Sequence, residues 1–275
     1  GALATAQMQV IAREFNLSET IFVMPPQNRG NTARVRIFFP TAEIPFAGHP
    51  TIGCAILLAE DAAGPGDFDM GLRLEEEAGL VPVRVVRSGG RVVAELTAPV
   101  IPHAHPGQAD AALIAAATGL GAADIGFGAH RPGLFAGGPA FLYVPVADRA
   151  ALARAAPRQP HWAALMAAGG VDAAYLYTPG AGCDYRARMF SPGAGIGEDP
   201  ATGSAACILA AQLRSAGALL SGTTRLMLEQ GVEMGRPSQL ALTVEAGAAG
   251  IAAVRLSGSA VRIAEGRIAI PQGEA

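Results

Sequence analysis

GEDPATGSAACILAAQL, residues 197–213, is the stretch from which the fold can be read. Two carboxylates, Glu198 and Asp199, precede a turn of Pro200, Ala201, Thr202 and Gly203. After Ser204 come nine residues without charge, almost all small or aliphatic. A helix of that composition has no polar face to turn toward water, so it is expected to be buried all round. The stretch therefore predicts a central helix with two acids and two hydroxyls at its mouth.

A second uncharged helix, PTIGCAILLA, is expected at 50–59, and an internal repeat relates the two. RVRIFFPTAEI (34–44) lies over RARMFSPGAGI (186–196) at an offset of 152, with Arg, Arg, Phe, Pro, Ala and Ile coinciding. With one residue inserted, PTIGCAI (50–56) then lies over GSAACIL (203–209), and Cys54 meets Cys207. Each half reads as a strand, a loop with an acid, then a buried helix. Chance similarity in an Ala-rich chain is the alternative, and the shared order of elements favours a duplicated domain.

A helix N-terminus offers unpaired N–H groups and partial positive charge. Two of them converging on one cleft would bind an anion, for which a small carboxylate is the natural guest. Gly48-His49 precedes the first helix; Thr202, Gly203 and Ser204 open the second. The competing reading makes Asp199, Thr202 and Ser204 capping residues only. Capping does not explain a histidine at the matching place in the other half.

The rest of the chain fits an α+β protein. Its 275 residues suffice for two ordinary domains, and 51% hydrophobic against 16% charged residues excludes a disordered segment. Net charge is −3 with no basic run, which argues against a nucleic-acid surface. No apolar run reaches transmembrane length and no signal peptide is visible. Cys54, Cys183 and Cys207 have neither zinc spacing nor disulfide-scaffold density, so a cytoplasmic protein is expected. Residues 6–16 predict a helix burying Met8, Ile11, Ala12 and Phe15. Strands are expected at 20–24, 34–40, across a hairpin at 81–96, at 139–146, and in DAAYLYTP, DYRARMFSP, TTRLMLEQG, QLALTVEAG, IAAVRLSGSAV and GRIAIP. The tract 97–110 reads as a linker. Two domains are expected, 1–105 and 106–261.

NLSET (16–20), EIPFAGHPTIG (43–53), RMFSPGAGIGEDPATGSAA (188–206) and GVEMGRPS (231–238) resemble the PhzF-like isomerase family of phenazine biosynthesis. The resemblance implies the diaminopimelate-epimerase-like fold: two pseudo-symmetric domains, each a barrel-like mixed sheet around a central helix. It also implies an active site between the halves, a homodimer and no cofactor. The last strand, at about 262–275, would return to the first domain. A strand and a Gly-Asn-Pro loop would precede the first helix; the sequence starts at Gly1, directly before that helix, and activity is expected to need that hairpin.

By resemblance the proton carrier is the glutamate of NLSE, Glu19. His49, Asp199 and Ser204 would bind and orient substrate. Read without the family, Ser18-Glu19 is as well a surface turn. Partial desolvation where the helix end meets TIFVM would raise the Glu19 pKa, as a shuttle requires. Racemases of the same fold use two cysteines; the corresponding places here are Ala47 and Pro200. Cys54 and Cys207 fall inside the helices, where a thiol packs, so two-thiol chemistry is not expected. The nonpolar turn AGGPAF (136–141) argues against the phenazine substrate itself.

His103 and His105 alternate along an extended segment without further ligands, so no metal is expected there. His130 and His161 are expected to be surface or packing residues, and Glu43 and Glu198 to complement helix dipoles; the Gly235-Arg236-Pro237 turn could present Arg236 to a substrate carboxylate, but a salt bridge is the expected role. The expected function is cofactor-independent isomerisation by proton transfer on a small carboxylic acid. The rival is a catalytically silent relative that binds a carboxylate metabolite or a partner protein.

Overall fold

The computed structural model describes residues 3–272. The chain forms two compact units: one runs to Pro99 and resumes at Ser257, the other spans Val100–Leu256.

In the first unit the elements are α1 (Thr5–Phe15), β1 (Thr20–Met24), β2 (Ala33–Phe38), β3 (Glu43–Ile44), α2 (Gly48–Ala63), β4 (Phe68–Glu76), β5 (Gly79–Ser88) and β6 (Arg91–Thr97). The sheet order is β1-β2-β4-β5-β6, with β3 paired to β2. Only β2 and β4 run parallel, Ala33 opposite Leu74. The alternating side chains of β4 and β5 send Leu72, Leu74, Val81, Val83 and Val85 inward. α2 packs against β1, β4, β5 and β6, so the sheet curls about it. On the other face Met8 and Ala12 of α1 cover Phe38.

The second unit comprises β7 (His103–Ala104), α3 (Ala111–Thr118), β8 (Gly133–Ala136), β9 (Ala140–Pro145), α4 (Arg149–Arg154), α5 (His161–Gly169), β10 (Ala174–Pro179), β11 (Tyr185–Ser191), β12 (Ile196–Asp199), α6 (Gly203–Ser215), β13 (Gly222–Gln230), β14 (Ser238–Gly247) and β15 (Gly250–Gly258). α6 touches β7, β8 and β9 as well as β14, elements far apart in the strand order, so this sheet also wraps a helix. Every residue from Gly203 to Leu213 is buried, as the opening stretch predicts. At Gly137 a side chain would meet Ile208 of α6 at 2.8 Å, which is why that turn needs glycine.

The run β10-β11-β12-α6-β13-β14-β15 repeats β1-β2-β3-α2-β4-β5-β6 element for element. β11 pairs parallel with β13 as β2 does with β4, and the flanking pairs are antiparallel in both. β12 turns back on β11 as β3 does on β2. Arg36 and Arg188, 152 apart, each hold a glutamate of the returning strand with Nε and Nη2: Glu43 at 2.7 and 2.5 Å, Glu198 at 2.8 and 2.7 Å. Each guanidinium also lies over the phenylalanine two residues on, 5.2 Å from Phe38 and 4.7 Å from Phe190. The extra residue of the second copy sits in a bulge. Met189 faces Asp199 and Ser191 faces Ile196, so two steps on β11 span three on β12.

Several expectations need correction. Residues 259–272 form no strand, and 273–275 lie outside the described residues. Alternation marks two faces but supplies no neighbouring ladder; the tail instead leaves Val261, Ile263, Ile268 and Ile270 exposed. It is tied to the first unit by Arg262–Asp61 and by Gln7 donating to the Pro271 carbonyl. Phe15 is 48% exposed, since α1 buries only the stripe Met8, Ile11, Ala12. α2 is less enclosed than α6: it opens to solvent at Leu57, Asp61 and Ala62. The tract 97–110 contains β7, paired with β8. Glu43 and Glu198 answer arginines rather than helix dipoles.

Candidate active site

In the first unit, α1 ends at Asn16, whose left-handed backbone (φ 48°) carries its N–H to the Ala12 carbonyl at 3.1 Å. The chain then turns through Leu17 and Ser18 into β1, against which α2 packs. Glu19 sits on that lead-in with its side chain only 4% exposed. Its Oε2 lies 2.9 Å from Nε2 of His49, the second residue of α2, whose side chain is 35% exposed. A shielded carboxyl group thus meets an imidazole with one side open, at a distance across which a proton can pass. Gly48 starts the helix, buried.

In the second unit, Asp199 ends β12 and is fully buried. Thr202 donates its hydroxyl to Asp199 Oδ2 at 2.5 Å. Asp199 Oδ1 has no hydrogen-bond partner among the described residues. Gly203 and Ser204 follow, both buried in the first turn of α6. Gln230, at the end of β13, clamps this turn. Its Nε2 donates to the Asp199 carbonyl and to Thr202 Oγ1, each at 2.8 Å, and its Oε1 accepts from Thr202 N–H at 3.2 Å.

At this turn the Thr202 side chain is not a cap. Thr202 is the N-cap of α6, yet its hydroxyl points back to Asp199 and caps nothing. Ala47, the N-cap of α2, has no side-chain acceptor at all. Elsewhere the chain supplies such acceptors: Asp110 takes the Leu113 N–H, Asp148 the Ala151 N–H and Gln159 the Ala163 N–H. The two central helices therefore start without side-chain caps, leaving first-turn N–H groups for another acceptor.

The thiols are placed against catalysis. Burial pushes Cys54 and Cys207 up to about 12, Cys54 with a contribution from Glu76, so neither forms the thiolate that two-thiol racemisation needs. His103 and His105 lie against the carbonyls of Ile101 and Gly170. His130 packs on Phe127 and bonds to the Tyr177 hydroxyl; burial lowers its pKa. His161 begins α5. Arg236 is exposed and makes no ion pair among the described residues, contrary to expectation, because its turn projects it into solvent.

A sequence profile of the family described as phenazine biosynthesis-like protein matches residues 1–266. The chain belongs to that family. An uncharacterized isomerase of Mesorhizobium japonicum is 40% identical to this family member, covering 98% of this chain and 90% of its own. The trans-2,3-dihydro-3-hydroxyanthranilate isomerase of Pseudomonas aeruginosa is 39% identical, covering 96% and 89%. The crystal structure of a PhzF-family phenazine biosynthesis protein from Bacillus anthracis superposes with a TM-score of 0.79 over 94% of this chain and 86% of its own, at 22% identity. The fold is the diaminopimelate-epimerase-like one, shared with solved hydroxyproline epimerase and proline racemase structures. As a member of this isomerase family, the chain is an isomerase.

Proposed function

We propose that this isomerase moves a proton between two atoms of a small carboxylic acid, with Glu19 as the carrier and no cofactor. The observation that carries the reading is the Glu19–His49 contact at the start of α2. It joins a shielded carboxyl group to a partly open imidazole beside an uncapped helix mouth. Glu19 accepts the proton as one C–H bond breaks, and returns it to another carbon as the new C–H bond forms. No redox equivalent is consumed. His49 steadies whichever proton state Glu19 holds.

The first turns of α2, at Gly48 and His49, and of α6, at Ser204, carry no side-chain cap and supply N–H groups for an anionic substrate, while Thr202 and Gly203 shape the turn with their N–H groups held by Gln230 Oε1 and the Ala201 carbonyl. Asp199, with one oxygen engaged and the other without a hydrogen-bond partner among the described residues, orients a substrate donor. A homodimer and a cytoplasmic location belong to the same proposal.

Deuterium incorporation from D₂O tests the reading. The substrate named for the Pseudomonas aeruginosa relative comes first, then small amino and hydroxy acids. Exchange at a single carbon position supports proton transfer. Binding of a carboxylic acid with no exchange in any of them favours the silent binder.

A further inference from the structure

Glu76 is buried at the end of β4, and no cation pairs with it among the described residues. One of its oxygens, Oε1, lies 2.6 Å from Thr51 Oγ1 in the first turns of α2. The same Oγ1 lies 2.5 Å from the carbonyl oxygen of Ala47, the N-cap. A threonine hydroxyl has one hydrogen, and a carbonyl can only accept. Thr51 must therefore give its hydrogen to Ala47, and its lone pair then faces Glu76. Only a protonated Glu76 completes that contact. The other oxygen, Oε2, has no hydrogen-bond partner among the described residues, and a carboxylate there would be a bare buried charge.

We propose that Glu76 is kept as a neutral carboxylic acid whose O–H donates to Thr51, fixing the entrance of α2 and with it His49. A second tie runs the same way: Ala78, in the turn after Glu76, donates its N–H to the Pro45 carbonyl at 2.9 Å, two residues before the cap. The β4–β5 hairpin thus grips the approach to His49 on both sides of Ala47. Burial pushes the Glu76 carboxyl up to about 8, in keeping with a neutral acid at this place.

The surrounding ionisable groups leave this assignment intact. On α2, the Cys54 thiol carries no charge near neutral pH. On β4 itself, Glu75 turns to the backbone N–H groups of Gln27 and Asn28 and to Asn31. Glu77 borders a groove with Arg34, Arg36 and Glu43. Glu76 is a positioning residue, acting through Thr51 and Ala47. It bears on the proton-transfer reading through His49, but the readouts below use no substrate, so the two fail separately.

Infrared spectroscopy of the whole chain with ¹³C-labelled glutamate should show one protonated carboxyl band at pH 7. The band should vanish as pH rises through about 8 and be missing in Glu76→Gln. The His49 ring resonance should show an added inflection near the same pH, absent in Glu76→Gln, whose amide still donates to Thr51. Thr51→Val, of equal size, should shift the band by removing its acceptor. No protonated band in wild type at pH 7 would overturn the proposal, even if both variants failed to fold. A His49 resonance blind to the loss of the band would refute the positioning role.

Discussion

Arg188 grips Glu198 with two nitrogens, one residue before Asp199, and its third nitrogen donates to the carbonyls of Leu152, Ala153 and Ala155. Its guanidinium therefore locks the presenting strand to the end of α4. Both side chains are largely shielded, at 9% and 15% exposed. Arg188→Ala would strand a carboxylate and three carbonyls. The expected loss is about 3–5 kcal/mol, the usual cost of breaking a buried pair from one side. Urea denaturation measures it, and Arg84→Ala, whose pair with Asp69 is exposed, is the control expected to change little.

Glu19→Gln keeps the size and shape of the side chain but cannot carry the proton. Deuterium exchange into the substrate should fall ~10²–10⁴-fold while substrate binding persists. Equal exchange rates in the two proteins would remove Glu19 from the chemistry.

Gln230→Glu replaces the donor that serves the Asp199 carbonyl and Thr202 Oγ1 with an acceptor. Two buried acceptors then lose their hydrogens, each worth ~1–3 kcal/mol. Thermal melting should drop, and kcat should fall more than binding, because the turn that presents Asp199 loosens. A variant with wild-type melting and kcat would show that the clamp has no role.

Gly231 follows that clamp with φ of 78°, and a Cβ there would stand 2.4 Å from the Arg236 carbonyl and 2.8 Å from that of Pro200. Gly231→Ala should destabilise by more than ~1 kcal/mol, since both the backbone conformation and the space exclude it. Denaturant midpoints give the answer directly.

At pH 8 the thiolate fraction of Cys54 and Cys207 is on the order of 10⁻⁴, given thiols pushed up to about 12. Alkylation of the folded protein should label Cys183, which is only partly buried, well before the other two, which are buried. Isomerisation should survive that labelling. Rapid modification of Cys207 with loss of exchange would reopen the thiol mechanism.

Much of this architecture is legible in the chain because its signals are local. The uncharged run after Ser204 announces a buried helix without reference to anything else. The repeat shows because Arg36 and Arg188 do the same work and each stands two residues before its phenylalanine, Phe38 or Phe190. What escapes is assembled from afar. Nothing around Gln230 or Glu76 marks either as buried, since their partners lie 28 and 25 residues away in sequence. β4 is hard to see because Gly71 and the glutamates of its end interrupt the apolar alternation. Thr202 looks like a cap for the sound reason that threonine usually is one. Only the position of Asp199 reveals its other use. Glu19 stands between these cases: the apolar strand beside it hints at shielding, but a surface turn reads as well there, and only the surrounding motif singles it out.

The bulge in β12 has a consequence for how freely this site can change. On a regular strand, residues three apart face opposite sides. Ile196 and Asp199 are three apart, yet both are buried. The extra residue lets the greasy anchor and the acid share the interior, so neither has to be sacrificed to the other. Evolution, or a protein engineer, can then alter one end of this short strand without reversing the other. The first copy lacks that freedom: with Ile37 opposite Ile44 and Phe38 opposite Glu43 in unbroken step, its returning strand must keep hydrophobe and acid side by side.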